Sequence, residues 1–145
     1  MSADFLSNFM RAALSISGAE RGVACDVEPS IVDLYNIEQS DVLSDKFPGL
    51  EIVRQALATG EPILTNNAVN DLSQAPVTNT NYSNLRVIVV IPLAPIGAIY
   101  LDQLIRKGIF PKEMVARLGE LGAYAISNGL LNASDSELVA LYENV

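Results

Sequence analysis

The chain has 145 residues, of which 50% are hydrophobic and 18% charged, so it can fold as one domain and is too apolar for a disordered segment. Nine lysines and arginines against seventeen aspartates and glutamates give a net charge of −8, which disfavours nucleic acid and anionic membranes as partners. With no histidine and with Cys25 as its one cysteine, the sequence excludes histidine-based nucleophile systems, histidine-bound haem, internal disulfides and thiolate zinc cages.

No targeting or membrane-spanning segment is predicted. The N-terminus has no basic stretch before an apolar run, so it does not resemble a secretory signal. The most apolar stretch, residues 87–101, contains Pro92, Pro95 and Gly97 and is shorter than the roughly 20 residues that a membrane-spanning helix needs. We therefore expect a soluble, cytoplasmic protein.

The pattern in the first part of the chain predicts a helix followed by a hairpin. Apolar residues at three- and four-residue steps predict a helix over residues 2–17, which Gly18 ends. Alternating apolar and polar residues predict a strand over 23–27, and a second strand over 31–35 completes a hairpin. A polar connection over residues 36–46 follows.

The middle of the chain combines a helix, a short strand and a long polar segment. Pro48 opens a helix that Gly60 ends, and residues 63–65 form a strand. Residues 66–84 carry six asparagines within 19 positions. Polar segments of that length in compact domains are usually binding loops or disordered, and composition alone does not separate the two.

The last part of the chain adds a second hairpin and two helices. Residues 87–91 and 96–101 predict two central strands, Pro111 opens a helix to about residue 128, and residues 134–137 form a capping box for a last helix. Hairpins therefore dominate over strand–helix–strand crossovers. This order predicts an α+β domain, in which an antiparallel sheet of five or six strands carries helices packed on it.

Four segments of the sequence resemble the GAF domain, a small-molecule sensor module related to PAS domains. They are GAERG (18–22), ALATGEPIL (56–64), the pair VIPL and GAIYLD (90–93 and 97–102) and GIF (108–110). The resemblance implies terminal helices on one face of the sheet and a pocket walled by loops and helices on the other. It also implies one GAF-like domain over residues 1–128, including the N-terminal helix, with a C-terminal helical extension over 129–145.

The resemblance does not fix a ligand. Residues 45–47 (DKF) are a fragment of the pattern found in cyclic-nucleotide-binding members, and Cys25 lacks the histidine that commonly follows a bilin-attachment cysteine. Haem-binding members usually need an axial histidine, and the methionine-sulfoxide reductases of the family use several cysteines. Haem, bilin and zinc are therefore not expected, and the ligand or cofactor stays unknown.

Candidate ligand-binding residues are polar side chains of the asparagine-rich segment and tyrosines on predicted strands, because binding groups often lie on loops held by a rigid scaffold. These residues are Tyr35, Asn66, Asp71, Tyr82, Asn84 and Tyr100. The alternative is a solvated loop without a ligand and tyrosines that pack as ordinary core or sheet-edge residues.

Other polar residues have simpler interpretations than binding or catalysis. Cys25 alternates with apolar neighbours, which favours a buried structural thiol over a redox sensor. Asp102 ends a predicted strand, where capping or a turn role is commoner than ligand coordination. Asp26, Glu28 and Asp33 could hold a cation, but no glycine-rich metal loop accompanies them, so a solvated face is favoured.

The apolar stripes of the first helix and of the helix after Pro111 predict a homodimer, as GAF modules typically dimerise through terminal helices. The candidate interface residues are Phe5, Phe9, Met114, Leu118, Leu121 and Ala125. The alternative is that both stripes simply cover the sheet.

These expectations favour a non-catalytic regulatory sensor that binds a small molecule and transmits the change through a helical dimer interface. Its partner would be a signalling effector domain or protein. The alternative is a structural dimerisation or protein-interaction module with an empty pocket. An enzyme would have to use carboxylates, tyrosine, lysine or an unpartnered cysteine, and nothing in the sequence arranges these, so no catalytic residue and no metal ligand is assigned.

Overall fold

A computed structural model describes residues 2–43, 49–65, 86–104 and 107–144. Within these residues the chain forms five helices and five strands. The helices are α1 (Ser2–Ser17), α2 (Gln39–Val42), α3 (Gly49–Thr59), α4 (Lys112–Ser127) and α5 (Asp135–Asn144). The strands are β1 (Arg21–Asp26), β2 (Ile31–Tyr35), β3 (Ile63–Thr65), β4 (Arg86–Leu93) and β5 (Gly97–Leu104).

The five strands form one open antiparallel sheet in the order β2-β1-β5-β4-β3. Both predicted hairpins are present, β1–β2 and β4–β5, and β1 joins them by pairing with β5. Val23 lies opposite Tyr100, and Tyr100 lies opposite Val90 on the other side. The predicted fold class, an α+β domain with an antiparallel sheet, is confirmed.

One face of the sheet packs against the terminal helices. Residues of β4 and β5 alternate between the faces, as a pleated strand requires, so Val89, Ile91 and Leu101 belong to this layer. Phe5 and Phe9 of α1 are fully buried here, with their ring centroids 5.8 Å apart. Helices α4 and α5 contribute buried leucines to the same core, so these three helices and the sheet share one hydrophobic layer.

The other face of the sheet packs against α2 and α3. Val23, Cys25, Val90 and Tyr100 point from the strands toward this side. Val53 and Ala56 of α3, together with Val42 of α2, cover them. Within the described ranges, α1, α4 and α5 therefore cover one face of the sheet and the shorter helices α2 and α3 the other.

Two glycines allow elements to approach closely. A Cβ atom on Gly122 of α4 would overlap the side chain of Leu93 on β4, so this glycine sets how near the helix lies to the sheet. A Cβ atom on Gly97 would overlap the backbone of Cys25, where β5 passes β1. In both places the packing needs a residue without a side chain.

The predicted capping box at the start of α5 is confirmed. The N–H of Glu137 donates to Oγ of Ser134 at 3.1 Å, and the N–H of Ser134 donates to Oε1 of Glu137 at 3.0 Å. Leu138 of α5 is fully buried against the terminal-helix layer, and Nδ2 of Asn8 donates to the carbonyl of Ala133 at 3.2 Å. Helix α5 therefore packs on α1 and belongs to the same core.

Some element boundaries differ from the prediction. The polar connection after β2 contains the short helix α2, whose Val42 is 1% exposed and packs with α3 against the sheet. β1 begins at Arg21, two residues earlier than predicted, and β4 begins at Arg86. β5 continues to Leu104, so Asp102 lies inside the strand and not at its end, as had been predicted. A charged residue in the sequence does not predict a strand, but in the structure Arg86 and Asp102 form an ion pair.

Among the described helices, none has the length and apolar character needed to cross a bilayer.

Candidate functional site

Four of the six predicted ligand-binding residues lie outside the described residues. They are Asn66, Asp71, Tyr82 and Asn84, and their ligand-binding role stays a prediction. The other two, Tyr35 and Tyr100, are both on strands, as predicted.

The structure does not bring Tyr35 and Tyr100 together. Tyr35 is 45% exposed on the edge strand β2 and lines a surface cleft with Arg11 and Leu14 of α1. Tyr100 is 2% exposed and points toward α2 and α3 on the opposite face of the sheet. The two tyrosines therefore cannot line one pocket, because the sheet separates them.

The side chains predicted for a dimer interface pack within one chain. Phe5, Phe9, Leu118, Leu121 and Ala125 are at most 5% exposed and belong to the core between the terminal helices and the sheet. Met114 is half-buried against the same core. A partner subunit would therefore contact other side chains of these helices, and dimerisation itself stays a prediction.

A group of charged residues surrounds a buried carboxylate on the α2/α3 face of the sheet. We call it the Asp102 cluster, and its members are Glu20, Arg21, Arg86, Tyr100, Asp102 and Lys107. Asp102 lies two residues after Tyr100 on β5, so both side chains leave the same face of the strand. In the ladder, Asp102 is opposite Arg21 of β1 on one side and Ile88 of β4 on the other. Arg21 and Arg86 each stand at the first position of their strand.

Asp102 has no solvent exposure and accepts four hydrogen bonds from three side chains. Nε and Nη2 of Arg21 donate to its two oxygens at 2.8 and 2.5 Å, a bidentate pair. Nη1 of Arg86 donates to Oδ1 at 3.1 Å, and the hydroxyl of Tyr100 donates to Oδ2 at 2.5 Å. The buried charge is thus paired and hydrogen-bonded, as a carboxylate without solvent must be.

Glu20 extends the cluster toward the surface. Its Oε1 accepts from the N–H of Leu104 at 2.9 Å and from Nη1 of Arg86 at 3.3 Å. Its Oε2 lies 3.2 Å from Nζ of Lys107. The backbone N–H of Glu20 also donates to the carbonyl of Asp102 at 3.0 Å. Glu20 therefore ties the residues just after α1 to the ends of β4 and β5.

Three groups of the cluster have shifted pKa values. The hydrogen bond from Leu104, aided by Lys107 and Arg86, lowers the pKa of Glu20 despite partial desolvation. Burial opposes the charge on Arg21, but the hydrogen bonds and charge of Asp102 outweigh it and raise the pKa of Arg21. Burial, followed by the negative charge of Asp102, raises the pKa of Tyr100 well above its ordinary value. Tyr100 is therefore a protonated hydrogen-bond donor, and Glu20 and Arg21 stay charged near neutral pH.

As the alternation of its neighbours predicted, Cys25 is a buried thiol; it lies on the α2/α3 face. It is fully buried and forms no disulfide. Burial, with a smaller contribution from the charge of Asp26, raises the pKa of the Cys25 thiol to about 12. Since the thiolate is the reactive form, this environment does not activate the sulfur.

The acidic residues of the first hairpin have separate structural roles. Oδ1 of Asp26 accepts from the N–H groups of Glu28 and Ser30, at 3.0 and 2.7 Å, and so stabilises the turn. Asp33 pairs with Arg11 of α1 at 3.2 Å. Among the described residues, no group of three or more acidic or cysteine side chains converges as a metal site would require.

Among the surface clefts that helix α4 borders in the described part of the chain, one lies against α5 and another against the end of β4. The first, about 290 Å³, lies between α4 and α5, where the Arg117 guanidinium is 4.2 Å from the centre of the Tyr142 ring and Tyr124 is 42% exposed. The second, about 410 Å³, is lined by small and proline residues that include Pro62, Gly119 and Ala123. Both lie away from the sheet face on which a pocket was predicted.

Most of the Asp102 cluster was not predicted from the sequence. Tyr100 and Asp102 were considered separately, and no role was predicted for Glu20, Arg21, Arg86 or Lys107. One signal was available, because Asp102 is a carboxylate on the buried side of an otherwise apolar strand and requires a cationic partner. Which arginines supply that charge depends on strand order, which the sequence does not state.

Comparisons with known proteins bear on the fold. No family model matches the sequence, and no curated protein matches it. Among solved structures, the chain is similar to the crystal structure of the GAF domain/HD domain protein from Geobacter sulfurreducens, with a TM-score of 0.60 and 10% identity over 99% of this chain and 95% of that chain. At this identity the similarity shows the fold alone. The chain therefore has a GAF-like fold, which confirms that part of the resemblance.

Proposed function

We propose that this chain is a non-catalytic regulatory module that binds a small molecule on the α2/α3 face of its sheet and passes the change to its terminal helices. The unequal lengths of the described helices on the two faces carry the proposal. Among the described residues, α1 and α4 have sixteen residues each and pack on one face, whereas α2 has four and α3 eleven. The face with the shorter helices also carries buried polar groups, and a small-molecule site combines an apolar lining with a few such groups.

The Asp102 cluster supports a route from that face to the terminal helices. Glu20 follows α1 by three residues and bonds to Arg86, the first residue of β4. A ligand that changed the position of Arg86 or Asp102 would therefore act on the chain immediately after α1. Such a ligand shifts the helices only if it binds one arrangement more tightly than the other.

We further propose that the module is a homodimer that associates through the outer side of α4. The inner side of α4 is used in the core, so its exposed side, which borders the cleft against α5, is what a partner subunit can reach. Tyr124 is the large exposed apolar side chain on this surface. Replacing it with a charged residue, Tyr124→Glu, should convert the dimer to a monomer in light scattering after size exclusion.

Tyr35→Glu is the matched control for the dimer test. Tyr35 is exposed to a similar extent, 45% against 42% for Tyr124, but lies on β2, away from α4. Tyr35→Glu should leave the dimer intact. Loss of the dimer in both variants, or in neither, would contradict an α4 interface.

A structural module without a ligand is the second candidate function. The observation in its favour is that the described part of the α2/α3 face is well packed. Val90 and Cys25 are fully buried there, and Tyr100 already donates its hydroxyl proton to Asp102. In this case the fold would serve dimerisation or protein interaction alone.

Native mass spectrometry of the purified protein distinguishes the two candidates. A dimer that carries extra mass, lost on denaturation, supports the sensor, whereas a dimer of bare polypeptide mass favours the structural module. A bare monomer contradicts the dimer interface in either case. The ligand-free protein should also unfold at a lower temperature than the loaded one, because a ligand that binds only the folded state stabilises it.

Two buried alanines provide matched variants that locate the ligand. Ala98 and Ala24 are both fully buried on central strands, but Ala98 faces α2 and α3 whereas Ala24 faces the terminal helices. Ala98→Val and Ala24→Val should cost similar stability through overpacking. Only Ala98→Val should reduce the retained mass. An equal loss of retained mass in both variants would argue against a site on the α2/α3 face.

A further inference from the structure

The acids of the Asp102 cluster have all their oxygens occupied. Oδ1 of Asp102 accepts from Arg21 and Arg86, and Oδ2 accepts from Arg21 and Tyr100. Each oxygen of Glu20 also has a donor or a cation within 3.3 Å. The carboxylates of the cluster therefore have little capacity to accept a donor from a ligand.

The cations of the cluster keep donors that its acids do not use. In the part of the chain that the structure describes, Nη1 of Arg21 and Nη2 of Arg86 donate no hydrogen bond to a protein acceptor. The exposed fractions show which charges meet solvent. The side chains of Arg21, Arg86 and Lys107 are 22, 26 and 56% exposed, whereas the two carboxylates, Glu20 and Asp102, are 21 and 0% exposed. The solvent side of the cluster therefore carries three cations and one carboxylate.

The charge balance of the cluster has the opposite sign to that of the whole chain. Its three cations exceed its two carboxylates by one positive charge, while the chain carries a net charge of −8. An excess cation beside a partly desolvated sheet end attracts a counter-anion more strongly than one in open solvent. Planar guanidiniums also present paired N–H donors that match carboxylate and phosphate oxygens.

We infer that the Asp102 cluster binds the carboxylate or phosphate group of a small anionic ligand through Arg21, Arg86 and Lys107. Asp102 and Tyr100 act as positioning residues in this site, because they hold the guanidiniums in place from the buried side. The inference rests on the proposed function, since it names the chemical class of ligand for a site on the α2/α3 face. The anionic group of the ligand would then contact the Asp102 cluster, and the rest of the ligand would contact the α2/α3 face of the sheet.

The experiment is a titration followed by NMR of the Nε–Hε groups of Arg21 and Arg86. Inorganic phosphate is the first probe and malonate the second, each added at constant ionic strength with sodium chloride. We expect saturable shifts of both arginine signals with a dissociation constant in the millimolar range. A response to phosphate alone would indicate that the ligand carries a phosphate group. A response to both probes would indicate a site that accepts either a phosphate or a carboxylate group.

Two exposed lysines provide the variant and its control. Lys107→Ala removes one positive charge from the cluster without opening the buried pair, and Lys112→Ala removes the same charge at the start of α4. Lys107→Ala should weaken phosphate binding by about three- to fivefold, the effect of one nearby charge at high dielectric. Lys112→Ala should leave binding unchanged.

Three results would overturn the inference. Arginine signals that move no more with phosphate than with chloride would show that the cluster is only structural. Equal weakening by the two lysine variants would show nonspecific attraction. A retained ligand that is neutral and sensitive to Ala98→Val would refute the anion site but leave the proposed function standing. Phosphate binding that depends on Lys107, without any effect of Ala98→Val on retained mass, would support the anion site and contradict the site on the sheet face.

Discussion

Asp102 is a carboxylate without solvent contact, and its side chain joins residues that are far apart in the sequence. Arg21 is 81 positions away and Arg86 is 16 positions away. A buried charge of this kind is tolerated only while its partners are present, because removing one partner leaves the others desolvated and unpaired. The consequences for stability are therefore larger than for an ion pair on the surface.

Asp102→Asn should destabilise the protein by about 3 kcal/mol, since it leaves the buried side of Arg21 and the Tyr100 hydroxyl without an anionic acceptor. Urea unfolding followed by circular dichroism measures the change. Asp33→Asn is the control, because Asp33 pairs with Arg11 where the two side chains are 26 and 48% exposed. The control should cost less than about 1 kcal/mol. Equal small losses in both variants would show that Asp102 is solvated.

Cys25 should be inert in the folded protein. Its thiol pKa is raised to about 12 by burial, so the thiolate is scarce at neutral pH and the sulfur is inaccessible. A colorimetric disulfide reagent should label it only after unfolding in urea, at a rate set by the opening of the fold. Rapid labelling of the native protein would contradict the buried placement.

The sequence identified single residues of the site better than their partners. Tyr100 and Asp102 were both recognisable, because a polar side chain in an apolar strand needs an explanation. Arg21 and Arg86 were not, because a charged residue at a strand end usually faces solvent, and their convergence on Asp102 requires β5 to lie between β1 and β4. That neighbour relation is a long-range property which local pattern does not encode.

Secondary structure elements with a clear periodic signal were predicted with accurate bounds. α1, β2 and β3 have the predicted ends, and α4 differs by about one residue at each end. α2 was missed, because a four-residue helix is too short for a periodic pattern to appear. The asparagine-rich segment lies outside the described residues, so the choice between binding loop and disorder stays open at the level of sequence.

Gly122→Ala tests the close packing of α4 on the sheet. Helix propensity alone would stabilise the protein by about 1 kcal/mol. The added Cβ atom, however, overlaps the side chain of Leu93 in the core, so we expect a net loss of about 1–3 kcal/mol. Thermal unfolding measures the sign. A rise in the unfolding temperature would show that α4 can move away from β4 at little cost.

For the molecule as a whole, the hairpins were sufficient to predict the fold class. The β1–β2 and β4–β5 hairpins exclude an all-parallel sheet, and the helix stripes need a sheet face to cover. The assignment of helix stripes to a dimer was less secure, because a stripe that fits a partner helix fits a sheet equally well. Phe5, Phe9 and Leu118 are in fact core residues.

The stability of the whole molecule should fall in acid. Hydrogen bonds to Glu20 and Glu137, from the N–H groups of Leu104 and Ser134 respectively, lower the pKa of each carboxyl below its ordinary 4.5. The unfolded chain therefore binds more protons than the folded one at pH values just below 4.5. The stabilisation is fully present above that pH and is lost as the pH falls through the folded pKa values.

The free energy of unfolding, measured by urea titration across the acid range, checks this dependence. The double variant Glu20→Gln/Glu137→Gln should be less stable than the natural protein at neutral pH, and the difference should shrink as the pH falls below 4.5. A difference that stays constant with pH would mean that neither carboxyl is stabilised in its charged form by folding.

The central position of β5 has a consequence for how the protein is made. β5 pairs with both β1 and β4, yet it follows β1 only after β2, β3 and β4 in the sequence. On the ribosome, the β1–β2 hairpin and the apolar stripe of α1 must therefore wait for β5 to emerge. Until then the β1 edge stays unpaired, and because an unpaired strand edge can pair with another chain, the risk of aggregation is highest before β5 has emerged.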